Sequence, residues 1–320
     1  MRKVINKEKI EGRIHDFALE EKVCGPESTM PGTPYIAGSI DVATDDEGLN
    51  VVTVHFTFVK GTTSKGTRNE TYYVLKNIIE NGKTIIKDGF ENATCVHIDT
   101  ALGLNDFYSN RNGEETLVSA KRNEGGFVKI INKLGEEGTR NTFEFDMLIN
   151  GTRLVEADPE RHIDNDYLVV KGVVFKFNGA FLPVELIVKN EGGIKYFTSL
   201  DASPSNLVFT KVWGNIQSQT IVDKREEESA FGEAAVKEYT RTVREWVITG
   251  TSTPDKMYEI GDATNGITED EIKTAMNDRE VYLADVKKRQ DEYQAKKAAG
   301  GAATPTAAAS ASAKLGGFNF

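Results

Sequence analysis

The loop 60–68, Lys60-Gly61-Thr62-Thr63-Ser64-Lys65-Gly66-Thr67-Arg68, carries cations, hydroxyls and glycines and no acidic residue. Cationic side chains, hydroxyls and accessible backbone N–H groups are the donors that hold phosphate. Tyr72 and Tyr73 follow directly. Further along, Phe107 and Tyr108 precede Arg111, and Lys121, Arg122, Lys129 and Lys133 come next. Lys211 and Trp213 fall two apart, as do Arg244 and Trp246, so in a strand each pair shares a face. Cations interleaved with rings suit a single-stranded nucleic acid, because the cations track phosphates while the rings stack on bases whatever their sequence. Lys60, Lys65, Arg68, Lys121 and Arg122 are the expected phosphate contacts; Tyr72, Tyr73, Phe107 and Trp213 are the expected stacking platforms.

Signals for catalysis are weaker. His97-Ile98-Asp99 has the spacing of an iron-binding facial triad, with His162 as the distal partner, and such a site needs two histidines and a carboxylate to converge. The tripeptide recurs at His162-Ile163-Asp164, which lowers its information, so solvent-facing polar residues are the expected reading. The basic loop lacks the Gly-Lys-Ser/Thr ending of a nucleotide-binding P-loop, and neither a Gly-x-Ser-x-Gly elbow nor His-Glu-x-x-His occurs. A non-enzymatic protein without metal or cofactor is expected.

A net charge of −10 argues against a protein that coats duplexes through overall basicity, although a local basic groove coexists readily with acidic loops. No apolar run approaches the ~18 residues of a membrane span. The basic N-terminus is followed by no apolar signal core. Cys24 and Cys95 fit no CxxC spacing and read as free thiols in a reducing cytoplasm.

Strands are expected at 11–23, 35–44 and 50–59, then a helix at 69–81, then strands at 94–102 and 115–121 and an apolar run at 127–131. Val52, Val54, Phe56 and Phe58 alternate with Thr53, His55 and Thr57, which predicts a core face and an outward face. Three strands, a helix and two strands is the order of an OB-fold, a small Greek-key barrel. The expected architecture is mainly β: an OB-like barrel over 1–138 and a second β-barrel or sandwich over 139–252. A C-terminal helical segment over 253–297 and a flexible Ala/Gly/Ser tail over 298–320 complete it. In the second half strands are expected at 142–149, 167–177, 181–189, 195–200, 207–216 and 243–249, with a helix-permissive charged insertion at 223–238. The halves share no residue-level repeat. Thr268 and Glu271 form a capping box that starts the long helix.

The OB-like order over 1–135, the acidic total charge and the aromatic tip Lys314-Leu315-Gly316-Gly317-Phe318-Asn319-Phe320 together resemble bacteriophage-type single-stranded DNA-binding proteins. The resemblance implies sequence-independent binding of single-stranded DNA in replication or recombination. It also implies docking of replication or recombination proteins on Phe318 and Phe320. The tip departs from that group in carrying a lysine and no acidic side chain. The alternative expectation is a virion structural or assembly protein built from β interaction modules.

Overall fold

Alternating apolar side chains draw the first strand, β1 (Asn6–Val23), through the centre of the molecule, with Ile10 and Ile14 fully buried. The computed structural model describes residues 2–111, 114–161, 163–227 and 235–298; the aromatic tip with Phe318 and Phe320 lies outside them. β1 is followed by β2 (Pro34–Ala43), β3 (Val51–Lys60), helix α1 (Glu70–Asn81), the short turn α2 (Ile85–Asp88), β4 (Cys95–Arg111) and β5 (Glu114–Ile130). β1 pairs with β2, β2 with β3, β3 with β5 in parallel, β5 with β4, and β4 returns to β1. That closed ring, with a helix between its third and fourth strands, is an OB-fold, as the element order predicts. Leu75 and Ile78 of α1 are fully buried against the barrel core.

The second half repeats the ring. β6 (Asn141–Val155), β7 (Tyr167–Phe175), β8 (Phe181–Val188), helix α3 (Glu191–Ser199), β9 (Val208–Glu227) and β10 (Ala235–Thr251) follow in order. Pairings run β6–β7, β7–β8, β8–β10 in parallel, β10–β9 and β9–β6. The chain is therefore two OB-type barrels in tandem. Two sequence expectations change. The stretch 195–200, expected as a strand, is the second half of α3 with its C-cap Leu200: Asn190 caps the helix start by accepting from the Gly193 N–H at 2.6 Å, and Phe197 turns into the core. The 223–238 stretch, expected as a helical insertion, is instead strand on both sides of the undescribed residues 228–234, where β9 and β10 extend as a long hairpin.

The barrels join through their first strands. β1 and β6 pair antiparallel from Asn6↔Phe145 to Ile10↔Asn141, and antiparallel pairing of equivalent strands relates the rings by an approximate two-fold. The long hairpins then cross over reciprocally. From β5, Lys121 Nζ donates to the Glu185 carbonyl on β8 at 2.5 Å; from β10, Arg244 donates to Thr53 Oγ1 on β3 at 3.0 Å. Helix α4 (Glu269–Ala298) straps the two barrels together. Its capping box forms as predicted: the Thr268 N–H donates to Glu271 Oε2 at 2.9 Å, and the Glu271 N–H to Thr268 Oγ1 at 3.3 Å. Ile272 and Ala275 pack on the outer face of the second barrel. Two turns on, Arg279 grips Asp106 of β4 with two hydrogen bonds, 2.9 and 2.6 Å. No helix among the described residues is long and apolar enough to cross a membrane.

Candidate nucleic-acid interface

Two β-bulges build the open face of the first barrel. On β3, Val59 opposes Ile36 and Phe56 opposes Gly38, so Thr57 and Phe58 together face one residue of β2. On the neighbouring β5, Val128 opposes Ile98 and Gly125 opposes Thr100, leaving Gly126 and Phe127 in the same position. An extra residue inverts the alternation beyond it. Phe56 points inward against Gly125, where a Cβ would lie 2.3 Å from its ring. Past the bulges Val59 and Val128 turn into the core, and Phe58 and Phe127 are 40% and 44% exposed. Phe58 is thus a surface ring and not the core residue that its spacing predicts.

Around Phe58 the register assembles a patch. Tyr35 is the direct partner of Lys22 on one side and Lys60 on the other, which puts all three on the outer face. The Tyr35 ring lies 4.6 Å from that of Phe58, with Lys60 Nζ 6.0 Å from the Phe58 ring. Lys129 stands 5.1 Å over Phe127. Beyond Lys60 the chain folds into a small looped ladder: Thr63 N–H donates to Thr67 O at 2.8 Å, and Asn69 clasps the Lys60 carbonyl at 2.8 Å. This ladder holds Lys65 exposed at its tip. It also lays the Arg68 guanidinium 3.7 Å over the ring of Tyr73, which is 39% exposed. Arg68 pairs with Glu70 at 2.8 Å, but both side chains are more than half exposed, and such pairs contribute little, so a phosphate can displace the acid.

Lys60, Lys65, Arg68 and Tyr73 thus lie on one loop and the helix start that follows it, and Tyr35, Phe58 and Lys22 adjoin Lys60. The other predicted residues go elsewhere. Tyr72 is 5% exposed and serves the core; its hydroxyl donates to Glu21 Oε1 at 2.5 Å, a bond that, with burial, pushes the phenol up to about 12. It offers no face to a base. Lys121 is spent on Glu185 and lies 4.9 Å over the buried Trp246 ring, and burial lowers its ammonium to about 8. Arg122 is held by Glu124 at 3.0 Å. Phe107, 38% exposed, sits on the β4 arm beside Tyr108, whose backbone is bracketed by Gln290 of α4. Trp213 lies at the junction of the barrels. None of these five offers a ring or cation to the open face.

The outward half of β3 nearest the junction is also covered. Thr53 is buried, donating to Asp41 and accepting from Arg244. His55 is lowered to about 4, first by burial and then by the cations Arg122 and Arg244. Of the predicted outward trio only Thr57 remains exposed. In the second barrel the outer face of β7 and β8 is covered at the end where the two strands meet at Phe175 and Phe181. Val173, Phe175 and Phe181 pack beneath Ile267, Ile272 and Ala275, and Lys171 pairs with Glu185 at 3.3 Å. His97 is held between Glu11 Oε2 at 2.9 Å and Asp99 Oδ1 at 3.5 Å; His162 lies outside the described residues. Cys24 and Cys95 are unpaired thiols.

Strand order and geometry thus define a tandem OB-type chain with an open aromatic and basic face on its first barrel. The YorF family model matches residues 5–289, and the chain belongs to that family. No curated protein matches it. Among solved structures, it is similar to the single-stranded DNA-binding protein from Thermus aquaticus: TM-score 0.45, 10% identity, covering 79% of this chain and 94% of that one. A deletion variant of the same protein gives a TM-score of 0.44 and 10% identity over 79% and 96%.

Proposed function

We propose that this protein binds single-stranded DNA without sequence preference, on the outer face of the first barrel. The observation that carries this reading is the outward turn of Phe58 by its bulge, against Tyr35 and beside Lys22, Lys60 and the loop that bears Lys65 and Arg68, with a second bulge exposing Phe127 under Lys129 on β5. Exposing two phenylalanines costs apolar burial, and a flat ring beside a cation is what a base and its phosphate need. Bases stack on Phe58, Tyr35 and Tyr73; the lysines and Arg68 meet phosphates. Contacts of that kind read no base edges, so discrimination between sequences is weak.

The test is fluorescence anisotropy of the full chain with labelled oligo-dT over a salt series. Binding that falls steeply with salt is expected. Lys65→Glu combined with Arg68→Glu removes two phosphate contacts and should flatten the slope of log K against log salt by about 1.4. Absence of binding at low salt would sink the proposal.

A further inference from the structure

The junction of the barrels carries a second, separately built cleft. It occupies ≈ 410 Å³ between β1, β6 and β9 and is lined by Lys7, Lys9, Thr142, Trp213, Asn215 and Thr249. Trp213 is 41% exposed, a large ring to leave in water. Its mounting is specific: the indole lies on Gly250 of β10, where a Cβ would come 2.4 Å from Nε1 and 2.5 Å from Cε2. The absent side chain lets the ring pass close over Gly250 while Trp213 lines the cleft.

Cross-strand register sets the cations. Lys7 opposes Glu144, and Glu144 opposes Trp213, so Lys7 stands two strands, about 10 Å, from the ring. Lys7 is exposed and has no ion-pair partner among the described residues. Of the acids that line the cleft, Glu144 pairs with Lys211 at 2.7 Å, Asp99 lies 3.5 Å from His97 and Glu8 is buried; Lys9 is shared with Glu11 at 3.6 Å, which leaves Lys7 as the cation with no such partner among the described residues.

From this geometry we infer a second nucleotide subsite: a base of the bound single strand stacks on Trp213 while a neighbouring phosphate meets Lys7 and Lys9. The inference rests on the proposed function, since it gives the strand a further station beyond the first barrel. The two stations are distinct. They occupy opposite ends of β1, Lys22 at one and Lys7 at the other, so a strand using both passes over the β1–β6 seam.

The chain contains two tryptophans, and Trp246 is buried with its Nε1–H donating to Glu8, so quenching by a nucleic acid reports on Trp213. The full chain is titrated with unlabelled oligo-dT for tryptophan emission and with labelled oligo-dT for anisotropy. Expected is quenching that saturates with binding, disappears in Trp213→Phe, and accompanies an affinity loss of about tenfold in Trp213→Ala, as for one lost stacking contact. Gly250→Val, which displaces the indole while leaving the residue in place, should reduce quenching and affinity together; its circular dichroism and melting curve establish that it is folded. Binding by anisotropy with no quenching, or with quenching that survives Trp213→Phe, overturns the subsite and leaves the first-barrel reading standing. No binding by anisotropy overturns both.

Discussion

Phe58 and Tyr72 exchange the roles that their sequence positions suggest. Phe58 continues a perfect alternation and so reads as core; Tyr72 follows a basic loop and so reads as a platform. A bulge reverses the first. The second is decided by helical phase, because Tyr72 falls on the stripe of Leu75 and Ile78, whereas Tyr73 falls off it. The Gly125-Gly126 pair was the legible trace of one bulge; the bulge on β3 leaves no such mark. Phe58→Ala should weaken oligo-dT binding by ~1–3 kcal/mol in an anisotropy titration and leave the melting temperature nearly unchanged. Tyr72→Phe should do the reverse: removing the hydroxyl that bonds Glu21 costs about 0.5–1.5 kcal/mol of stability in denaturant titrations, with binding unaltered.

Among the elements, the order of the first barrel was readable from period changes and turn residues, and so was the start of α4 from Thr268 and Glu271. The lengths of β4, β5, β9 and β10 were not. Their outer halves form two-stranded arms, and on β4 and β5 the arm's side chains meet other parts of the molecule, so local alternation carries little of the signal there. The residues 195–200 misled for a similar reason: aromatic and β-branched residues suit a strand, and only the Asn190 cap and the burial of Phe197 choose the helix. The grip of α4 on the first arm makes a sharp prediction. The Asp106 and Arg279 side chains are 1% and 11% exposed, so Arg279→Ala leaves a buried carboxylate without its counter-charge, with the Ser119 hydroxyl as its remaining donor. A loss of 3–5 kcal/mol is expected, seen in thermal melts, with faster amide exchange across β4 and β5.

At the level of the whole molecule the sequence was least informative, because the duplication survives in strand order and not in residue identity. Its seam holds Glu8, a buried carboxyl. Glu8 accepts from Trp246 at 2.7 Å and Thr100 at 2.9 Å, yet burial raises its carboxyl from 4.5 to about 7. The folded chain therefore holds this proton more tightly than the unfolded one, and the contribution of Glu8 is most favourable below pH 4.5 and is lost as pH climbs toward 7. At about 1.4 kcal/mol per pH unit the interval amounts to ~3 kcal/mol. Chemical denaturation across that range should show stability falling by an amount of that order relative to Glu8→Gln, whose own profile lacks this component.

The covalent connection between the barrels runs on from β5 through Lys133 to β6, yet β1–β6 pairing, the crossed arms and the α4 strap hold the halves independently of it. A protease cut after Lys133 should leave a species that migrates as one particle on a sizing column under native conditions and as two bands once denatured. The two fragments, produced apart, should complement each other on mixing.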